Sequence, residues 1–570
     1  MNKLKKSYLL FIPIVLLVLF LLGRLQVGFE RFFDPDEMAN ANWAYLVFRG
    51  AVPYRDFFYY YTPLFHWIFS LIFLLPEGPY LIIVMRIFIW CIYVTLTYVL
   101  YKIVYTISQK RILALFSSLI FVIFPMTFDK TIDIRPDTLM TLLFFTGVYL
   151  LYGANKHNHR IFFIAGMLIS ASCLVFMKMI YAFPAVAYLI ISTYRRNNMH
   201  EFINEQLMPF IIGFIIPVAL FILYLFVNHT ISPAWDSIIR VSLLYNLSLG
   251  QSFTLLNALG PWPMIYLQHG GVSLPWIIQI SFWVLAIVGI PIVIIQNRRF
   301  GIFISVFVFS ALVFLCILER PFVQYFIPLS IVFSITGIYS LELFYNLFKS
   351  IQGGAVFLLL CIGFFSSSFL LQYQERIVPT NTEQMEVLKQ VHEQIPKNEP
   401  VVDLVGSYVY RLNGFFYNVP TYASIIDKAD PKAESLTESL IRTQTKYIIL
   451  DQKGYIFWTS KADDLQFMLT HYLLSPWFKI YTPGVKFVCN QYICIQYNLH
   501  GSPAFSVPSE TFSFHIRGLY TLTTEPKGLK ITLNGVQVHD GEDKLYVPLL
   551  YKFSVPLGLQ SFVLQYSVNQ

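Results

Sequence analysis

Apolar runs of membrane-crossing length recur through the first two thirds of this 570-residue chain, with short basic clusters between alternate pairs. A helix needs about 20 mainly apolar residues to span the hydrocarbon core, and Lys and Arg gather on the cytoplasmic side. Candidate spans lie near residues 8–25, 80–105, 111–127, 138–153, 161–177, 180–194, 207–228, 274–296, 300–318, 322–346 and 354–372. The basic punctuation is Lys3, Lys5 and Lys6, then Lys102, Lys110 and Arg111, then Lys156 and Arg160, Arg195 and Arg196, Arg298 and Arg299, and Lys349. With all of these inside, the spans alternate without conflict on one condition. The stretch Leu64–Leu75, closed by Pro76-Glu77-Gly78-Pro79, must not cross; at about a dozen residues it fits a re-entrant or interfacial helix. The expectation is a polytopic α-helical membrane protein of about 11 transmembrane helices. Its N-terminus is cytoplasmic, its C-terminal part is extracytoplasmic, and it sits in a plasma (inner) membrane.

Composition agrees: 56% of residues are hydrophobic and 13% charged, against about 25% charged in soluble domains. The net charge of +8 is spread over short loops, so it reads as topology rather than nucleic-acid affinity. No small-residue cleavage site follows Tyr8–Leu22, so the first helix is read as uncleaved. Cys91, Cys173, Cys316 and Cys361 lie in spans and read as packing residues. Cys489 and Cys494, with four residues between them, can close a hairpin in an oxidising compartment.

Beyond the last span the pattern turns soluble. The organisation expected is a membrane domain over residues 1–375, with an acidic outer loop at 26–79, an extracytoplasmic α/β domain at 376–502 and a small β-domain at 503–570. Residues 382–395 have the spacing of an amphipathic helix, and EPVVDLV and TKYIILD read as short strands. KITLNGVQV and QSFVLQYSV alternate as strands do, with turns at Asn534-Gly535 and Asp540-Gly541.

The polar residues of the membrane part concentrate on the outward side, which was assigned from basic residues alone. Asp34-Pro35-Asp36-Glu37 reads first as a helix start: aspartate at N-cap, proline at N1, glutamate at N3. That reading explains Asp34 and Glu37 and leaves Asp36 weakly explained. Arg135-Pro136-Asp137 repeats the pattern at the opening of a span. One rim therefore collects Asp34, Asp36, Glu37, Asp56, Asp133 and Asp137. Such a cluster repels itself unless cations, a metal or a substrate intervene. Lys178, at the turn between two spans, and Arg55, Arg135 and Arg320 are the cations available for an anionic lipid head. Tyr54, Tyr59, Tyr60 and Tyr61 suit an interfacial aromatic belt or a sugar face. Asp34, His66 and His269 are candidate ligands for a divalent cation, without the spacing of any known metal motif. Asn228-His229-Thr230 and Asn246-Leu247-Ser248 match glycosylation sequons.

These motifs, in this order and on one side, resemble the GT-C superfamily of integral membrane glycosyltransferases, in the branch of protein O-mannosyltransferases and the lipid A aminoarabinose transferase. The resemblance rests on Asp36-Glu37, on Gly50-Ala51-Val52-Pro53-Tyr54-Arg55-Asp56, on Tyr61-Thr62-Pro63-Leu64, on Arg135 with Asp137, and on the run from Arg320 through Tyr325 to Pro328. It covers residues 1–375. Where some relatives carry a lysine beside the re-entrant proline, this chain has Thr62. The resemblance implies sugar transfer from a polyprenyl-phosphate donor to an extracytoplasmic glycan, lipid or protein, with inversion, and no cofactor beyond the divalent cation already raised. It also implies roles: Asp36 as general base with Glu37 and Asp137 beside it, and Arg135, Lys178, Arg320 and Tyr325, with Tyr54, Arg55 and Asp56, as contacts to substrate or lipid phosphate. Two other classes compete: a transporter or flippase of lipid-linked sugars, and a membrane-anchored glycan-binding protein. Span centres nearly free of charge disfavour transport, and eleven helices are excessive for an anchor.

Overall fold

The computed structural model describes residues 2–153, 158–194, 199–243, 274–318, 322–347, 351–378, 380–403, 409–417, 433–449, 462–475, 479–490, 493–497, 511–547 and 549–567. Its contacts divide the chain into two units. One comprises residues 1–37, 60–74 and 80–381; the other comprises 38–59, 75–79 and 382–570.

The first unit is helical. All eleven expected spans form helices, among them α1 (Asn2–Glu30), α4 (Leu81–Ser108), α5 (Arg111–Val122), α6 (Pro136–Gly153), α7 (His159–Val175) and α8 (Phe183–Ile191). The chain enters α2 (Pro35–Phe48) directly after α1, and the short α3 (Leu64–Ser70) precedes α4. Among the described residues, six helices are long and apolar enough to cross a membrane on their own, and Leu64–Leu74 is one of the shorter apolar ones. A 3₁₀ turn, Met177–Ala182, leads into α8, and another, Val323–Phe326, leads into the helix Ile327–Leu347. Small residues let helices close on one another. A Cβ added to Gly213 of the helix Met208–Val227 would sit 2.1 Å from the Phe163 carbonyl oxygen of α7. One added to Gly166 of α7 would sit 2.2 Å from the Phe210 carbonyl oxygen. Backbone-to-backbone approach of this kind replaces the hydrophobic drive that lipid removes.

The second unit holds the soluble elements. The helix expected at 382–395 spans Thr382–Gln394 and buries Val387, Leu388 and Val391. An eight-stranded sheet runs β1 (Val401–Val402), β2 (Tyr447–Ile449), β4 (Ile480–Asn490), β12 (Ser561–Tyr566), β7 (Gly518–Glu525), β10 (Asp543–Tyr546), with β3 (Tyr472–Leu474) and β5 (Ile493–Tyr497) also paired to β4. A four-stranded sheet comprises β6 (Thr511–Phe514), β11 (Leu549–Ser554), β8 (Lys530–Leu533) and β9 (Val536–His539). β4 pairs with β12 across the expected boundary at 502/503, Phe487 opposite Phe562, so one sheet contains strands from both sides of it. Alternation along a strand reveals its buried face and not its partner, which lies some seventy residues away here. Asn534 and Gly535 both have positive φ, 48° and 82°, as a tight β8–β9 hairpin requires. Cys489 and Cys494 form a disulfide across the β4–β5 pair.

Candidate functional site

The helical unit builds the site from two loops and a 3₁₀ turn. The first loop is the start of α2. Asp34 caps it as its sequence suggests: its carboxylate accepts from the Asp36 amide at 3.0 Å, and Glu37 Oε1 accepts from the Asp34 amide at 2.9 Å. Glu37 is then fully committed. Arg86, from the second turn of α4, donates to both its oxygens at 2.8 and 2.6 Å, and the Ile134 amide donates to Oε2 at 3.0 Å. The same guanidinium donates to the carbonyls of Gly28, Arg31 and Phe32, and lies 4.0 Å from the Phe33 ring centroid. Both partners are buried, Glu37 completely. Glu37 therefore locks the loop before α2 onto the loop before α6.

The second loop, residues 123–135, is tied to α1 by Arg24, which donates to the carbonyls of Val122 and Phe128 and to the Thr131 hydroxyl, and lies against the rings of Tyr93 and Phe128. Its charged residues explain how so many carboxylates coexist. Lys130 bridges Asp34 at 2.7 Å and Asp133 at 3.1 Å. Arg135 bridges Asp34 at 2.8 Å and Asp36 at 2.6 Å, with Asp133 at 3.7 Å. Arg31 pairs with Asp133 at 2.5 Å and Asp129 at 3.7 Å, and Arg376 reaches Asp129 at 3.8 Å. Four carboxylates thus interleave with four cations. Burial alone would push the Asp34 carboxyl up, but Arg135 and Lys130 hold it far below the usual range. Burial opposes ionisation of Asp129 too, and Arg31, Lys130 and Arg376 still draw it down to about 2. Among these carboxylates Asp36 stands out by access: its side chain is 46% exposed, against 22% for Asp34 and 0% for Asp133.

The third part is less fully paired. Asp137, in the first turn of α6, is buried. It lies within electrostatic reach of Lys178, Arg135 and Asp36, yet among the described residues its carboxylate has no ion pair within 4 Å. Lys178, on the 3₁₀ turn before α8, likewise has no ion pair or hydrogen bond there; its ammonium sits 3.3 Å from the Tyr325 ring centroid and 4.4 Å from that of Phe176. Tyr61 completes the wall, edge-on to Phe176 at 5.1 Å and joined to the Tyr60 hydroxyl at 3.1 Å.

Of the residues singled out in the sequence, Asp34, Asp36, Glu37, Arg135, Asp137, Lys178 and Tyr325 therefore belong to this one unit. Tyr54, Arg55 and Asp56 belong to the other, where Tyr54 packs on Tyr59, and Asp56 accepts from Arg55 and from the Val52 amide. Arg320 and His269 lie outside the described residues. Of the proposed cation ligands, both Asp34 oxygens face Lys130 and Arg135 and His66 is buried against Tyr61 and Phe65, and among the described residues no three metal-ligating side chains converge. Sequence reasoning missed Lys130, Arg31, Arg86 and Arg24. Arg86 carried a signal, being an arginine inside an otherwise apolar span.

Residues 61–232 match the family model described as dolichyl-phosphate-mannose-protein mannosyltransferase. No curated protein matches the chain significantly. Among solved structures, ArnT from Cupriavidus metallidurans bound to undecaprenyl phosphate is similar with a TM-score of 0.52 at 11% identity, over 79% of this chain and 95% of that one. ArnT in the apo state gives 0.52 at 10% identity, over 82% and 97%. The archaeal oligosaccharyltransferase AglB from Archaeoglobus fulgidus, in complex with an inhibitory peptide and a dolichol-phosphate, gives 0.50 at 12% identity, over 84% and 74%. At these identities the likeness establishes the fold alone.

Proposed function

We propose that this membrane glycosyltransferase moves a sugar from a polyprenyl-phosphate donor to an acceptor hydroxyl or amide outside the cytoplasm, with inversion at the anomeric carbon. The acceptor atom attacks that carbon and forms the new glycosidic bond. The bond from the carbon to the phosphate oxygen breaks, and polyprenyl phosphate leaves with the electron pair. Asp36 takes the acceptor's proton. Arg135 orients Asp36, and the Arg86–Glu37 brace holds the turn that carries it. Lys178, over the Tyr325 ring, faces the charge that develops on the leaving phosphate, where a fixed cation lowers the barrier. Asp137 orients the sugar. No metal enters this scheme. The helical unit is the catalytic part, and it sits in a plasma membrane with its N-terminus inside.

The observation that carries this reading is the pairing of an accessible carboxylate with an uncommitted ammonium in one cluster, Asp36 on one side of Arg135 and Lys178 beside Asp137. The family match over residues 61–232 and the lipid phosphates bound by ArnT and AglB favour the same donor class. The test is incubation of purified protein with radiolabelled polyprenyl-phosphate sugars. Release of polyprenyl phosphate together with labelled acceptor is expected. A transporter or a glycan-binding protein releases none.

A further inference from the structure

Met177–Ala182 is a 3₁₀ helix, and in that geometry side chains three residues apart lie one above the other. Lys178 and Tyr181 are so spaced and project to one side. Both interact electrostatically with Asp137. The Tyr181 ring is clamped, stacked on Phe314 at 5.1 Å and edge-on to Phe307 at 5.7 Å, so its hydroxyl has little freedom. That hydroxyl oxygen is buried and has no hydrogen-bond partner among the described residues. A buried phenol usually has one. The carboxylate of Asp137 also has no ion pair among the described residues. Among the described residues, a phenol donor and a carboxylate that lacks an ion pair thus lie within electrostatic reach of each other, and the carboxylate within reach of the uncommitted ammonium.

We infer that Tyr181 selects the donor sugar: its phenol donates to a ring hydroxyl of the transferred sugar, and that hydroxyl donates to the Asp137 carboxylate. The inference rests on the transfer reading above and adds a substrate class to it, a sugar with a free hydroxyl at one defined ring position. Lys178, one 3₁₀ turn away, meets the phosphate attached to the same ring. A site built to bond a hydroxyl rejects the analogue lacking it, because the buried groups are then left unpaired.

The experiment uses the full-length protein with the donor it accepts and a set of monodeoxy donors, each lacking one hydroxyl. It reads kcat/KM for release of polyprenyl phosphate. For wild type, one deoxy position is expected to lose about a hundredfold or more. Tyr181→Phe keeps the ring between Phe314 and Phe307. It is expected to lose about ten- to a hundredfold on the intact donor and almost nothing further on that one deoxy donor, with Tm unchanged or raised. Equal losses on every donor, or a variant indistinguishable from wild type, overturn the inference. So does weaker binding of sugar-free polyprenyl phosphate by Tyr181→Phe, which puts the phenol on the phosphate. A wild type that releases polyprenyl phosphate from no donor brings down the transfer reading itself, a separate result.

Discussion

The residues just before Pro136 and those just after it face the same problem and answer it in opposite ways. Before it, Asp129, Lys130, Asp133 and Arg135 join Arg31, Asp34 and Asp36 in a lattice where every charge has a counter-charge within 4 Å. After it, Asp137 and Lys178 sense each other without forming a contact ion pair, and the Tyr181 hydroxyl has no hydrogen-bond partner among the described residues. Burying ionisable groups is costly unless they are paired. The first region has met that requirement internally and is architecture. The second, among the described residues, has left it open, and the proposed donor, with its anionic oxygen and hydroxyls, would meet it. Between them stands Asp36, paired with Arg135 yet accessible.

Substitutions sharpen this contrast. The largest effect on stability is expected where the brace is deepest. Arg86→Leu strands the completely buried Glu37 and costs about 3–5 kcal/mol, visible as a lower Tm of the detergent-solubilised protein. Lys130→Met acts on the same lattice, but Arg31 and Arg135 still face Asp133 and Asp34. Its cost is about 1.5–3 kcal/mol in the same assay. A cost as small as that for Arg86→Leu would show that the brace is not essential.

Acid probes the lattice more gently. Asp129 titrates at about 2 in the folded protein, below the ordinary unfolded value of about 3.9. The stability it contributes is complete above the unfolded value and is lost as pH falls toward the folded one. Tm should therefore drop between about pH 4 and pH 2, and Asp129→Asn should show a lower Tm at pH 7 with a shallower acid slope. An unchanged slope would remove Asp129 from the lattice. The smallest effect belongs to Arg55→Gln: that arginine is half exposed and pairs with the exposed Asp56. Tm should correspond to a change of about 0.5 kcal/mol or less.

Much of this was legible in the sequence. The apolar runs marked the helices because a lipid-facing helix needs no partner to be recognisable, and the acids Asp34, Asp36, Asp133 and Asp137, grouped from the sequence, lie in one helical unit. The capping pattern at Asp34-Pro35-Asp36-Glu37 was readable because its hydrogen bonds are local. The pairing was not. Arg135 meets Asp34 from 101 residues away and Arg86 meets Glu37 from 49, distances at which sequence spacing carries no information. The same limit hid the β4–β12 pairing across 502/503. Nor could Tyr181 be singled out, since an unbonded phenol is defined by neighbours such as Phe314 and Phe307 that another helix supplies.

The most direct test separates base from phosphate contact in one titration. Polyprenyl phosphate binding and sugar transfer are measured side by side for wild type, Asp36→Asn and Lys178→Gln. Asp36→Asn should bind the lipid phosphate within about twofold of wild type while transfer falls about 10²–10⁴-fold. Lys178→Gln should weaken that binding about tenfold or more. Near-normal transfer by Asp36→Asn, or equal lipid binding by all three proteins, contradicts the account.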